Sequence, residues 1–316
     1  MNYCNAAIVT GGLGFIGKNF TLKLLDKYKH IYIVDKISDV SDIEFYKQNL
    51  ACNVQLLSQR VKDLRLKSYV ELHESLDIYH FAAESHVDNS FHNGPDFVLN
   101  NAYDTAMLLQ EICAFKDNVR LVMISTDEVY GESNDRPFVE SDPLNPTNPY
   151  SASKAAADVL TQTYARCFGV NSITVRANNI YGCRQFVEKL IPRCIQYASQ
   201  RKIFEIHGDG SQLRHFLHTD DFSSAIFKLV DNWDVLGSRI FNIAGDSEYS
   251  VKSIVSMIYG EFSVSDNFYR FVGDRPYNDK RYFVDDSLIR SLGWSPIIDF
   301  NSAISRMCSS LDFFVK

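Results

Sequence analysis

Apolar residues along this chain fall into short unbroken blocks separated by amphipathic stretches, not into the strict alternation of a sheet with one wet face. Residues 6–10 (AAIVT), 30–35 (HIYIVD), the block beginning at 76 (LDIYHFAAES), 121–124 (LVMI) and 171–182 (NSITVRANNIYG) are such blocks. Bounded by turn residues, they read as strands buried on both faces of a parallel sheet. The stretch KNFTLKLLDKY and residues 95–115 and 152–168 carry the 3.6-residue period of helices. Strand and helix alternating in this way predict an α/β fold, a doubly wound parallel Rossmann sheet. Residues 38–53 are polar and read as a helix with loops; a third strand lies within NVQLLSQRVKDL. Past about residue 180 the alternation breaks down. The expected division is a dinucleotide-binding domain over 1–177, with a segment near 212–242 returning to it, and a smaller α/β substrate-binding domain over 178–316.

The first block runs directly into GGLGFIG, where Gly11, Gly14 and Gly17 recur every third residue ahead of a helical pattern, with Phe15 and Ile16 among them. Without side chains the backbone can turn tightly and approach a pyrophosphate at a helix N-terminus, and the last glycine lets helix and strand pack closely. The second block ends in Asp35, about twenty residues on, where a carboxylate accepts both ribose hydroxyls and repels a 2′-phosphate. This favours NAD over NADP, although Lys36 beside it is a cation that would tolerate that phosphate. Asp63 and Leu64 follow the third strand and are placed at the adenine edge. Ala82 and Ala83 are small enough for a cofactor to lie across the end of the fourth strand, and Ser85, His86 and Asp88 follow it.

The central strand ends abruptly in Ser125, Thr126, Asp127 and Glu128. In open α/β sheets ligands bind beyond the carboxyl ends of the strands, so a hydroxyl and two adjacent acids stand where chemistry would occur. Tyr150 and Lys154 are four apart at the start of a helical pattern and share a face. An ammonium beside a phenol favours the phenolate, a base near neutral pH. Each piece has a bland reading: a helix surface for the YxxxK, caps for the acids. Their order, after a nucleotide loop and an acidic ribose ligand, favours chemistry.

Composition narrows the partners. The formal charge of −7 over 316 residues gives no general attraction to nucleic acid, and no apolar run reaches the length needed to span a bilayer. Seven scattered cysteines without CxxC spacing read as reduced thiols of a cytoplasmic protein, with neither a disulfide framework nor a metal site. The chain enters its first strand and glycine motif almost at once, which leaves no room for a signal peptide. Helices 95–115 and 152–168 can pack on the sheet and still present an outer face to a second copy, so a homodimer through a four-helix bundle is expected. Lys189, Arg214, Arg275 and Arg281 are either solvated surface or converge on a diphosphate.

Taken together, TGGLGFIG, VDK, FAAESHVDNS, STDEVYG, YSASK, NNIYG, FVEKLIP and GDRPYNDKRY resemble, in order and spacing, the nucleotide-sugar 4,6-dehydratases of the dTDP-glucose type, in the extended short-chain dehydrogenase/reductase superfamily. The resemblance covers residues 6–285, and the Thr-Asp-Glu triplet is its most specific part. It implies tightly held NAD, to which Tyr150 and Lys154 also belong, and conversion of dTDP-glucose or UDP-glucose to the 4-keto-6-deoxy sugar plus water. Tyr150 would take the 4-hydroxyl proton while Thr126 holds that oxygen; Glu128 would remove the proton on carbon 5 and Asp127 would protonate the departing 6-oxygen. Beside Thr126, Asp127 and Glu128, the implied substrate ligands are Ser85, Asn179, Lys189, Leu190, His207, Arg214, Asn242, Arg275 and Asn278. Bacterial relatives usually carry Tyr at the place of His207 and His at that of Asn278, which leaves the base of the nucleotide open. A 4-epimerase or decarboxylase of the same superfamily would not need the two acids, and a non-catalytic NAD-binding regulator would not need Tyr150 and Lys154.

Overall fold

The computed structural model describes residues 3–50, 53–133, 136–236, 239–265, 269–274, 277 and 279–310. Its main layer is a seven-stranded sheet built from β1 (Ala6–Thr10), β2 (His30–Asp35), β3 (Val54–Ser58), β4 (Leu76–His80), β5 (Val119–Thr126), β6 (Asn171–Ala177) and, from far along the chain, β10 (Ile240–Ile243). The order is β10-β6-β5-β4-β1-β2-β3 and every pairing is parallel. Parallel strands covered on both faces have no solvent side, which is why β1 and β4 are buried at every position and read in the sequence as unbroken apolar runs. One face packs Phe20, Leu24, Tyr79, Phe222, Ile226 and Phe241; the other packs Leu66, Leu108, Leu109, Ile112 and Leu121.

The chain beyond β6 builds a second core around Ile191, Ile195, Phe204, Ile254, Ile258, Phe300 and Ile304. These come mainly from the helices Leu190–Ser199, Val251–Glu261 and Phe300–Ser309. Two small sheets flank it: β7 (Asn179–Tyr181), β9 (Leu213–His218) and β11 (Glu248–Ser250) in one, and β8 (Phe204–His207) with β12 (Tyr269–Val272) in the other. The helix Thr219–Asp231 and β10 return to the large sheet, the helix lying against Phe15–Leu24 and β10 pairing with β6.

Two helices set the site. Pro149–Phe168 starts with Asn148 and Ser151 in a reciprocal capping box and Pro149 in the first turn, and it stops at Gly169 in the left-handed conformation. Pinning both ends fixes the rotational phase of a 20-residue helix, and with it the direction of Tyr150 and Lys154. The expected helix over 95–115 is present from residue 94 to 113 but contains a wide π turn, Val98–Tyr103. From that turn the buried Asn101 accepts the Glu84 N–H at 2.7 Å and donates to the Glu84 carbonyl at 3.0 Å and to the Ser153 hydroxyl at 2.9 Å. One amide thus ties the end of β4 to the helix that bears Tyr150.

Candidate active site

The carboxyl ends of β1, β2, β4, β5 and β6 and the facing edge of the second lobe enclose one cleft of about 520 Å³. It opens where the strand order reverses between β1 and β4, the place the topology reserves for ligands.

On one side the glycine turn forms the wall. Gly11 has φ +67°, and a Cβ there would stand 2.8 Å from the Ala82 backbone, so β1 and β4 approach each other main chain to main chain at the cleft floor. A side chain on Gly17 would overlap the Gly11 carbonyl oxygen, which lets the helix Phe15–Leu24 begin directly on the loop. Gly14 is its N-cap and supplies no side-chain partner, so the first-turn N–H groups of Phe15, Ile16 and Gly17 lie uncapped by any side chain at the positive end of the helix dipole, on the cleft wall. Asp35 lines the same wall, its carboxylate oriented by the Leu13 N–H at 3.1 Å, the Ile37 N–H at 3.0 Å and the Ser41 hydroxyl at 2.7 Å. Lys36 is engaged with the Glu84 carboxylate and donates to Asn100 at 3.2 Å, so its cation is already neutralised beside Asp35. Ala83 lines the cleft next to Ala82. An anion-seeking helix end, a ribose-height carboxylate and two alanines fit a dinucleotide.

At the expected adenine edge the two side chains point to different surroundings. After β3 the chain tightens into the 3₁₀ turn Val61–Asp63, which exposes Asp63 and buries Leu64 in the core. Arg60 and Val61 line the cleft, with Arg60 held by Asp104 at 2.9 Å.

At the end of β5 the strand turns into the 3₁₀ turn Asp127–Tyr130, capped by Thr126, whose hydroxyl accepts the Glu128 N–H at 3.3 Å. The same hydroxyl donates to Asp127 at 3.2 Å, and the Asn178 amide donates to the other Asp127 oxygen at 2.6 Å. Asp127 is 2 % exposed and burial lifts its carboxyl to about 6, against the pull of Asn178, Thr126 and Arg214. Burial, reinforced by the neighbouring Asp127 charge, lifts Glu128 to about 7. Two adjacent carboxyls so placed raise each other's proton affinity and titrate together as neutrality is approached. Thr126, Glu128, Tyr150 and Lys154 all line the cleft, and Asp127 lies just beneath it, reached through Asn178.

The expected ammonium–phenol pair has a different electrostatic form. Lys154 donates to the Ile124 carbonyl at 2.6 Å and burial lowers its ammonium to about 8. Burial, then the charge of Glu128, pushes the Tyr150 phenol well above its usual range, with a Thr126 hydrogen bond pulling the other way. In this chain by itself Tyr150 is therefore neutral: a buried phenol beside two carboxyls feels them more than a lysine bound to a carbonyl.

From the second lobe, Asn179, Lys189, Leu190, His207 and Arg214 reach the cleft, opposite Ser85. Lys189 donates to the Ser85 carbonyl at 3.2 Å, which closes one lobe on the other. Arg214 donates to the Asp279 carbonyl at 2.8 Å and lies over the Tyr282 ring at 4.4 Å, and its charge lowers both Asp127 and Glu128. Asn242 is placed elsewhere. It is fully buried in β10, receives the Tyr130 hydroxyl at 2.9 Å and donates to the Phe138 and Asp285 carbonyls at 3.0 Å each, so its amide is spent on holding the VYG segment against the sheet. Arg275 and Asn278 lie outside the described residues.

Sequence reasoning missed several cleft groups. Asn148, the cap of the Tyr150 helix, also reaches Glu128 at 3.5 Å; the capping pattern ahead of YSASK was its signal. Ser125, Asn178 and Gln185 line the cleft, and each keeps one buried oxygen with no hydrogen-bond partner among the described residues. Asn178 was visible only as half of a polar cluster ending a strand, while nothing local marks Gln185. Among the described residues no helix is long and apolar enough to cross a membrane.

The model of the family described as GDP-mannose 4,6 dehydratase matches residues 8–307. A trifunctional UDP-glucose 4,6-dehydratase/UDP-4-keto-6-deoxy-D-glucose 3,5-epimerase/UDP-4-keto-L-rhamnose-reductase of Arabidopsis thaliana is 37% identical over 98% of this chain and 47% of that protein. The chain thus spans about half the length of this plant relative. The dTDP-D-glucose 4,6-dehydratase of Dictyostelium discoideum is 34% identical over 95% of this chain and 80% of its own. Among solved structures, the dTDP-glucose 4,6-dehydratase of Streptomyces venezuelae with NAD bound superposes with a TM-score of 0.89 at 30% identity, covering 96% of each chain.

Proposed function

The chain belongs to the GDP-mannose 4,6-dehydratase family, and from that membership we propose that it is an NAD-dependent NDP-glucose 4,6-dehydratase acting on dTDP-glucose or UDP-glucose. The observation that carries this reading is the pair of adjacent carboxyls, Asp127 and Glu128, at the end of β5, with Glu128 in one cleft with Tyr150 and Lys154 and Asp127 tied to that cleft through Asn178.

NAD, when bound, supplies an acceptor for the hydride of carbon 4, gives that hydride back to carbon 6, and adds a positive ring charge that favours the tyrosinate. The uncapped helix end behind Gly11 and Gly14 holds its pyrophosphate, and Asp35 accepts from its ribose, with Lys36 neutralised by Glu84 so that a 2′-phosphate gains nothing. Tyr150 takes the proton of the 4-hydroxyl, Thr126 donates to the resulting oxygen, and Lys154 is the nearby cation. The carbonyl at carbon 4 acidifies carbon 5, whose proton passes to Glu128. The bond from carbon 6 to its oxygen breaks as Asp127 protonates that oxygen, and water leaves; Glu128 then returns its proton to carbon 5.

The roles need a proton on Asp127, yet in the chain alone two donors, Thr126 and Asn178, favour its anion. When the Thr126 hydroxyl turns to the sugar oxygen, Asp127 loses one of those donors and its proton affinity rises. Elimination is thereby tied to correct seating of the sugar.

In this reading residues 1–177 with the returning helix Thr219–Asp231 and β10 hold NAD, and the second lobe, to which β9 belongs, brings Lys189 and Arg214 to the diphosphate. The protein works in the cytoplasm as a homodimer through a four-helix bundle. Exposed Val98, Leu99, Tyr103, Val159 and Phe168 on the outer helix faces support that assembly. Incubation with NAD and either sugar nucleotide, followed by mass spectrometry, tests the reaction: loss of one water is expected, and unchanged or merely epimerised sugar from both donors overturns it.

A further inference from the structure

The amide of Asn178 stands between Asp127 and the cleft. It follows β6, its backbone N–H is tied to the Ile243 carbonyl of β10 at 3.1 Å, and its side chain is almost wholly buried, 4 % exposed. One end of the amide donates to Asp127 at 2.6 Å, while the other, Oδ1, has no partner among the described residues although Asn178 lines the cleft. A buried amide oxygen left unpaired costs about 1–3 kcal/mol, and such an acceptor at a ligand cleft is a place for a donor to come.

We propose that Asn178 is a substrate-contacting and positioning residue, whose Oδ1 accepts a hydrogen bond from the 6-hydroxyl of the hexose while its Nδ2 fixes which oxygen of Asp127 remains an acceptor. This rests on the dehydratase reading above. The 6-hydroxyl proton then points at Asn178 and leaves an oxygen lone pair for Asp127. The Asp127 oxygen given up by Thr126, not the one held by Asn178, carries the proton delivered to the leaving oxygen. Asp127 is otherwise faced by Thr126 and Glu128 from its own turn, Arg214 from β9 and Tyr150 from the helix Pro149–Phe168, none of which reaches its second oxygen in place of Asn178.

Binding of NDP-glucose and of the corresponding NDP-6-deoxyglucose, measured by titration calorimetry on the protein loaded with reduced nicotinamide, which cannot accept the carbon 4 hydride, reads the Oδ1 contact. The parent should prefer the 6-hydroxyl sugar by about 5–10-fold, the value of one hydrogen bond, and Asn178→Ala should lose that preference. The isosteric Asn178→Asp keeps an acceptor toward the sugar but replaces the donor to Asp127 with a like charge. It should keep the preference while the alkaline limb of its kcat–pH profile moves to higher pH, and it carries the test if the alanine variant does not fold. An active parent whose alanine variant discriminates undiminished, or whose aspartate variant keeps the parental alkaline limb, overturns the assignment. A parent that binds the sugars but eliminates no water overturns the dehydratase reading, and the Asn178 assignment with it.

Discussion

Replacing Glu128 with glutamine should damage turnover and improve stability, and the size of both effects follows from the site. Burial beside Asp127 raises the Glu128 carboxyl from its ordinary 4.5 to about 7. A raised acid holds its proton in the folded chain over a pH range where the unfolded chain has lost it, so stability is lost as pH rises from about 4.5 to about 7. At about 1.4 kcal/mol per pH unit the full gap corresponds to about 3 kcal/mol. Because Glu128 keeps some contact with solvent, the recoverable part is roughly 1–3 kcal/mol. Glutamine, neutral at every pH, avoids that cost. The melting temperatures of variant and parent should coincide near pH 4.5, diverge as pH rises, and level off above pH 7 with the variant higher. Loss of a general base should lower turnover by about 10²–10⁴-fold, or roughly 3–5 kcal/mol of barrier. Since Tyr150 and Thr126 are untouched, oxidation at carbon 4 should proceed and reduced-nicotinamide absorbance should accumulate. Thermal scans across pH and stopped-flow absorbance measure the two halves. A pH-independent melting difference would refute the electrostatic reasoning, and turnover at the parental rate would refute the base.

Arg176 and Asp158 form a buried pair at 2.8 Å behind the catalytic turn, with Arg176 also donating to the Tyr130 hydroxyl at 2.6 Å. Arg176→Met should cost about 3–5 kcal/mol by stranding the Asp158 charge, and adding Asp158→Leu should recover much of it in denaturant titrations; no recovery would mean that packing, not charge, is what the pair supplies. Val159 is 47 % exposed on the outer face of the Tyr150 helix. Val159→Glu should halve the particle mass seen by light scattering if that face joins two copies, and an unchanged mass would exclude it.

Legibility in the sequence depended on whether a motif's geometry is local. The turn from β1 into the first helix, the acids ending β5 and the Tyr150–Lys154 spacing are each set within about ten residues, so their residue types and order sufficed to place them together. Asn242 shows the limit. The family resemblance implied a substrate ligand there, but β10 sits at the sheet edge against Tyr130, Phe138 and Asp285, three partners distant in sequence that consume its amide. Beside Asp63 and Leu64, Arg60 and Val61 line the cleft, and nothing in the local sequence marked them. The state of Tyr150 was illegible because it depends on how much water and how many charges surround the phenol, quantities that exist only after folding.

The late return of β10 gives the fold an order of assembly. Six strands of the main layer are complete by Ala177, but the seventh is synthesised more than sixty residues later, after the first strands and first helix of the second lobe. Until Ile240–Ile243 emerges from the ribosome, β6 presents open main-chain donors and acceptors along the flank that leads to Asn178. A nascent or truncated chain ending before this point would carry both acids and the tyrosine yet expose a sticky ribbon to its neighbours. Protection of that flank thus comes before the helices Val251–Glu261 and Phe300–Ser309 complete the lobe that grips the sugar nucleotide.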